Sequence, residues 1–311
     1  RTQLAVGVSK PYTYILGGGK NTVGEIKDFN CTYDNSAGIN GEVTEGLGLC
    51  FPDAYLHSDT MAKLSKALKE HDNAPFCELP FCHTVEAEAM GGIINYGNEK
   101  TGPRAKEYLC TEVEELLKLP EIDYSKGRIH EVLTACRKLR EEGEHVVLQV
   151  SGPFTILNVL IDARYVFKGM RKKPEIMKEV FWKLGREVLR FIDEAKKYGV
   201  DMVSYADSSG GVNILGPKMA EQVVNDFTCE FVKELEKKAD DNLLIMLCPK
   251  TTFALLGTEK ACFEDVELSA PMRYGEACIE VIGKVKLTGQ MCIKNIQYML
   301  ENGKIKAIKL Q

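Results

Sequence analysis

The chain has 311 residues, 44% of them hydrophobic, and its 40 basic against 45 acidic residues give a formal net charge of −5. That length suits one large domain with a sizeable core, and the absence of any block of about five or more like charges argues against a nucleic-acid or anionic-membrane partner. No window approaches roughly 18 consecutive apolar residues, and the start, RTQLAVGVSK, lacks the pattern of a signal peptide. A soluble, cytoplasmic protein is therefore expected. The cysteines number 11, an odd and large count that fits a reducing compartment better than a disulfide framework. No CxxC pair and no HExxH occurs, so any metal site must be assembled from residues distant in sequence.

Taken in chain order, residues 1–50 are rich in Gly, Asn and Asp and are expected to form an irregular arm, acting as a lid or as a contact in a homo-oligomer. Gly17, Gly18 and Gly19 form a turn without the third spaced glycine of a dinucleotide-binding loop. An apolar run near Pro75 ends in FCHTVEAEAMGG, and VVLQV ends in SGPFT. Pro174 then opens a long amphipathic helix in which Met177, Val180, Phe181, Leu184, Val188, Ile192 and Ala195 recur at helical spacing, with Gly199 as the stop. VDMVSYA reads as a short buried strand ending in DSSGG, and Pro217 opens another helix that runs to about Lys238. LLIML ends in CPKTT, and KVKLTGQ ends in MCIKN. Buried apolar strands that alternate with helices predict a parallel sheet, and about eight such units predict a closed (β/α)8 TIM barrel, one α/β domain spanning 1–311, over an open doubly wound sheet.

In such a barrel the active site lies at the C-terminal ends of the strands. The residues there are Cys82, His83, Thr84, Glu86 and Glu88, then Ser151 and Gly152, then Tyr205, Asp207 and Ser208, then Cys248 and Lys250, then Gln290 and Cys292. Glu86, Glu88, Asp207 and Cys248 are the catalytic candidates, because carboxyl groups can supply or take a proton and a thiolate can hold a metal or attack carbon. His83, Ser151, Tyr205, Lys250 and Gln290 are the candidates for substrate contact. Each has a plainer competing role. Cys77, Cys82, Cys248 and Cys292 could be small core residues, Glu86 and Glu88 the solvated first turn of a helix, His83 a packing histidine, and Asp207 a turn cap. Cys31, Cys50, Cys110, Cys136, Cys229, Cys262 and Cys278 read as loop or helix residues with no role.

At these same residues the chain resembles a known family. FPDAYLHSDTMAKLSKAL (51–68), PFCHTVEAEAMGGIINYG (80–97), VSGPFTILNVLIDA (150–163) and ADSSGGVNILGPK (206–218) are similar to the methylcobamide:coenzyme M methyltransferases of the uroporphyrinogen decarboxylase superfamily, and the similarity runs from about residue 45 to about residue 300. The resemblance implies a (β/α)8 barrel whose strand ends exchange a methyl group with the cobamide (cobalamin-type cofactor) of a separate corrinoid protein. In the members that act on thiols, it implies a Zn2+ ion held by a His-x-Cys motif and a further cysteine near the C-terminus. Here Met246-Leu247-Cys248 keeps the cysteine and replaces the histidine by Met246, a weak zinc ligand. The Gly- and Pro-rich stretch that carries the further cysteine is missing, which leaves Cys292 as the substitute. The expected function is corrinoid-dependent methyl transfer to a thiol acceptor or from a methoxy or methylamine-type donor, with SGPFT and ADSSGG offering small residues that leave room for the corrinoid. The alternatives are a uroporphyrinogen-type decarboxylase, disfavoured by the lack of an arginine-rich clamp, and a barrel that binds a tetrapyrrole or methyl carrier without catalysis.

Overall fold

The structure, a computed structural model, describes residues 26–29, 31 and 37–311. The rest of the expected N-terminal arm or lid, including the glycine turn at 17–19, lies outside the described residues. Among the described residues eleven strands follow in chain order: β1 (Cys77–Leu79), β2 (Ile93–Asn95), β3 (Arg104–Glu107), β4 (Val146–Ser151), β5 (Met202–Ala206), β6 (Leu244–Leu247), β7 (Ala261–Glu267), β8 (Met272–Arg273), β9 (Leu287–Thr288), β10 (Met299–Leu300) and β11 (Lys304–Leu310). Seven of them form the central sheet in the order β1-β4-β5-β6-β9-β11-β7, and β2 with β3 and β8 with β10 form two-stranded ribbons.

The apolar runs make the parallel part. VVLQV and LLIM are buried along their whole length, as strands covered on both faces must be. β1, β4, β5, β6 and β9 pair in parallel, and every connection between successive members of this series includes helices, with β2 and β3 inserted after β1 and β7 and β8 after β6. The helix opened by Pro174 runs to Lys197, close to its sequence reading. The one opened by Pro217 extends to Val223, widens into a π-helical turn over Val224–Thr228 and continues over Cys229–Glu236. Among the described residues no helix is long and apolar enough to cross a membrane.

The expected succession of buried strands and crossover helices is present, and the sheet is mostly parallel. Its wall ends differently from a ring of eight. No ladder joins β7 to β1 among the described residues, and β11 runs antiparallel to both β9 and β7. The reason lies in the sequence of β7, ACFEDVE, whose acidic residues could not be buried on both faces of a parallel sheet. Instead Glu264, Asp265 and Glu267 meet Lys309, Lys306 and Lys304 across the ribbon. Cys262, read from the sequence as a loop or helix residue, lies in this strand and is exposed.

Successive side chains of a strand point to opposite faces. Leu148, Val150, Val203, Tyr205, Ile245 and Leu247 therefore pack outward against the helices. Val147, Met202, Leu244 and Met246 point inward and meet Tyr274, Cys278 and Ile305. The outer layer is sealed by aromatic rings: Phe231 lies 5.0 Å from Phe227 in a stacked pair and 5.5 Å from Tyr205. Phe231→Ala should cost about 3–5 kcal/mol, the range for emptying a fully buried aromatic site. Urea denaturation checks this, and a loss under about 1 kcal/mol would show that the helix does not seal the sheet there.

Candidate functional site

The C-terminal ends of β4, β5 and β6, together with the loops after β1 and β9, enclose a cavity of about 50 Å³. Its walls include His83, Met246, Cys248, Cys292 and Cys31. Such a volume holds a few waters or the end of a small molecule. The two-residue period of a strand explains the sulfur wall, because Met246 and Cys248 are two apart and share the inner face of β6. The Cys248 backbone N–H donates to the Tyr205 carbonyl at 2.8 Å, which carries the β5–β6 pairing one residue past the strand and fixes the start of the helix Pro249–Gly257. Burial, and then the neighbouring Cys292, push the Cys248 thiol up to about 12. Burial pushes Cys292 up to about 11. Both are thiols, not thiolates, at neutral pH. Cys31, which the sequence gave no reason to single out, completes this wall.

Two carboxyl groups stand at the same end of the sheet. Glu86, on the short helix Val85–Ala89, is 2% exposed. Its Oε1 accepts from the Ser151 backbone N–H at 2.6 Å, and its Oε2 lies 3.0 Å from Ser151 Oγ. Ser151 Oγ in turn stands 3.5 Å from His83 Nδ1. Burial raises Glu86 above the usual carboxyl range, while burial and the charge of Lys294 lower His83 to about 4. Asp207 follows β5 and accepts from the backbone N–H and the hydroxyl of Thr155 at 2.8 and 3.2 Å. It thus caps the helix Pro153–Leu160, which follows β4 rather than β5, and burial lifts it to about 7. Ala206 and Ser208 on either side of it line the cavity, but Asp207 itself does not.

Other expected site residues are used elsewhere. Glu88 is held by Arg128 and by the Tyr96 hydroxyl, and the same buried guanidinium reaches Cys82 Sγ at 3.1 Å and Thr84 Oγ1 at 2.6 Å. Tyr205 points to the outer face and packs on Phe231. Lys250 donates to Asn213 at 2.7 Å, and Gln290 accepts from the Lys306 backbone N–H. None of these four lines the cavity. The glycines of SGPFT and DSSGG do not leave open space. A Cβ on Gly152 would lie 2.4 Å from Asp207 Cβ, and one on Gly210 would lie 2.6 Å from the Phe154 ring, so these glycines let the loops pack closely. Gln149 and Lys294, both on the wall, were missed. Gln149 left a trace, as the one polar residue inside VVLQV; Lys294 left none, because its loop position carries no periodic pattern.

The zinc site that the family resemblance implies would draw on Cys248 and Cys292, which line one cavity with Cys31 and His83, although among the described residues no three His, Cys, Asp or Glu side chains stand together as a metal-binding group. Met246 occupies the place of the histidine.

Comparison with known proteins agrees with the fold. A model of the uroporphyrinogen decarboxylase (URO-D) family matches residues 42–293. A methylcobamide:CoM methyltransferase, MtaA, of Methanosarcina barkeri is 24% identical over 256 residues, covering 80% of this chain and 74% of its own. MtbA of Methanosarcina mazei, also a methylcobamide:CoM methyltransferase, is 24% identical over 217 residues, covering 69% and 63%. The solved structure of a methyltransferase from Methanosarcina mazei superposes with a TM-score of 0.59 at 21% identity, over 69% of this chain and 65% of that one. The chain belongs to the uroporphyrinogen decarboxylase family, on its methyltransferase side.

Two outcomes follow from the site. At pH 8, thiols raised to about 11 and 12 leave at most about one Cys292 or Cys248 in a thousand ionised, so iodoacetamide should label exposed Cys50 and Cys262 at least tenfold faster. Mass spectrometry of the alkylated peptides checks this, and equal rates would mean that the cavity is open and polar. Asp207 sits near 7 in the fold against roughly 3.9 unfolded. Its contribution is therefore fully present below about pH 4 and is lost as the pH rises towards 7. Asp207→Asn, which keeps an acceptor for Thr155, should gain stability relative to the wild type between pH 5 and pH 8. Thermal melts across that range test it, and a pH-independent difference would refute the shift.

Proposed function

We propose that this methyltransferase moves a methyl group between the cobalt of a corrinoid presented by a partner protein and a small substrate, and that Glu86, Ser151 and His83 handle the proton of the substrate heteroatom. The observation that carries this reading is the hydrogen-bonded series from buried Glu86 through Ser151 to His83 on the cavity wall. A carboxyl group raised by burial holds its proton more firmly than an exposed one and can pass it along such a series. His83, held down to about 4, is neutral and passes a proton on rather than storing one.

When a methoxy or methylamine-type donor gives its methyl to cobalt, the carbon–heteroatom bond breaks and its electron pair stays on the heteroatom, which needs a proton. His83 donates that proton, Ser151 restores it to His83, and Glu86 restores it to Ser151. In the reverse direction, a thiol acceptor loses its proton to the same series as sulfur attacks the methyl. The names of the relatives favour a thiol acceptor as the second reading. The corrinoid enters only as a substrate brought to the strand ends, since a cavity of about 50 Å³ cannot take a corrin ring.

The test follows the cobalt spectrum. Cob(I)alamin is mixed with methylamine or 2-methoxyphenol, and methylcobalamin with CoM, each with the purified protein. Transfer in one pairing is expected, with Glu86→Gln lowering its rate by about 10²–10⁴-fold, the usual span for lost acid–base catalysis. Glu86→Gln within threefold of wild type would refute the proton series, and turnover of uroporphyrinogen without cobalt would replace the reading by decarboxylation.

A further inference from the structure

A second cavity of about 260 Å³ runs along the inner face of β1 and is bounded by Ser65, Asp72, Phe76, Glu78 and Ile296. It shares two wall residues, Gln149 and Lys294, with the thiol-lined cavity, so the two adjoin at these side chains and together outline a bent space. An engineered cavity of about 150 Å³ holds benzene, so this space of about 260 Å³ has room for roughly ten non-hydrogen atoms.

Gln149 stands where the two cavities join, in the middle of β4 on its inner face. It is 5% exposed as a residue, and it stands on the walls of both cavities. Its amide is not among the buried polar atoms sealed off without a partner, so its donors and acceptor face the space and not the packed core. An amide that meets a cavity in place of a protein partner is positioned to meet a ligand. A second group points the same way. Glu78 Oε2 accepts from Lys294 Nζ at 2.6 Å, but Oε1 is buried and has no partner among the described residues. The buried charges on the wall are paired, Lys294 with Glu78 and Lys69 with Glu144, while Asp72 and His71 lie together at the exposed rim. Away from that rim the space therefore offers the Gln149 amide and one carboxylate oxygen, with its ionic groups already paired.

We infer that this bent space is the small-substrate site, and that Gln149 and the free oxygen of Glu78 select a net-neutral molecule bearing an N–H or O–H donor, with its methylated end in the thiol-lined cavity near His83. The inference deepens the methyl-transfer reading and rests on it for the identity of that end; binding itself is tested without any corrinoid, so the two fail separately.

The test uses four probes on one scaffold: 2-methoxyethanol, which is neutral with a donor; 1,2-dimethoxyethane, which lacks the donor; 2-methoxyethylammonium; and methoxyacetate. Saturation-transfer NMR titrations are run on the wild type and on Gln149→Leu and Glu78→Gln. The expected order places 2-methoxyethanol at least fivefold tighter than the other three, with a loss of at least tenfold in Gln149→Leu. A second readout separates binding from folding. Because the Gln149 amide faces the cavity and not a protein partner, Gln149→Leu should melt close to the wild-type temperature, which a glutamine hydrogen-bonded into the fold would not allow. No saturable binding of any probe, equal binding of 1,2-dimethoxyethane, tightest binding of a charged probe, or Gln149→Leu binding like the wild type each overturns the inference. Glu78→Gln keeping wild-type affinity while Gln149→Leu loses it overturns the part assigned to Glu78.

Discussion

A parallel sheet covered on both faces has no solvent side, and that constraint organises the rest of this molecule. Each buried strand must place apolar residues inward and outward alike, so a polar side chain on β4, β5 or β6 needs a partner or a cavity. At the strand ends the constraint relaxes, and there the chain puts Ser151, Asp207 and Cys248. The inward half of the alternation supplies most of the strand residues at the lumen, and Leu247 reaches it only as the last residue of β6. Ser204, Met246 and Gln149 meet there, whereas Tyr205, one residue from Ser204, is turned into the helix layer. A shift of one residue in β5 or β6 would exchange these roles completely.

Burial also sets the chemical character of the site. The same desolvation that lifts the Cys248 and Cys292 thiols also lifts Glu86 and Asp207 and lowers His83. Each group is pushed towards its uncharged form. A cavity with that bias is suited to moving protons and methyl groups between neutral partners and unsuited to holding an anion without help. Where a charge is retained, as on Arg128, the surroundings supply an opposite charge in Glu88 together with neighbouring sulfur and hydroxyl groups. That cluster consumes Glu88, which is why two glutamates on one short helix have different surroundings.

Much of the architecture was legible in advance. The helix from Pro174 and the runs VVLQV, MVSYA and LLIML carry the two periodicities that distinguish helix from buried strand, and they stand where those patterns put them. The site was legible only in part. Cys248 and His83 share a cavity because each follows a strand, and position along the chain was enough to nominate them. Lys250, Gln290 and Tyr205 were nominated on the same ground, but their side chains find partners away from the cavity. Position after a strand narrows the candidates without telling which way a loop side chain turns.

By itself, the sequence determined the alternation of buried strands and helices, the family, and several of the strand-end residues that line the cavity, because hydrophobic period and residue type are local properties. Only the tertiary structure decided that β7 leaves the parallel series to pair its carboxylates with the lysines of β11, that Asp207 caps a helix other than its own, and that Cys31 joins Cys248 and Cys292 on one wall. Those outcomes depend on which groups meet across long stretches of chain, where pairing of charges and the filling of space are settled.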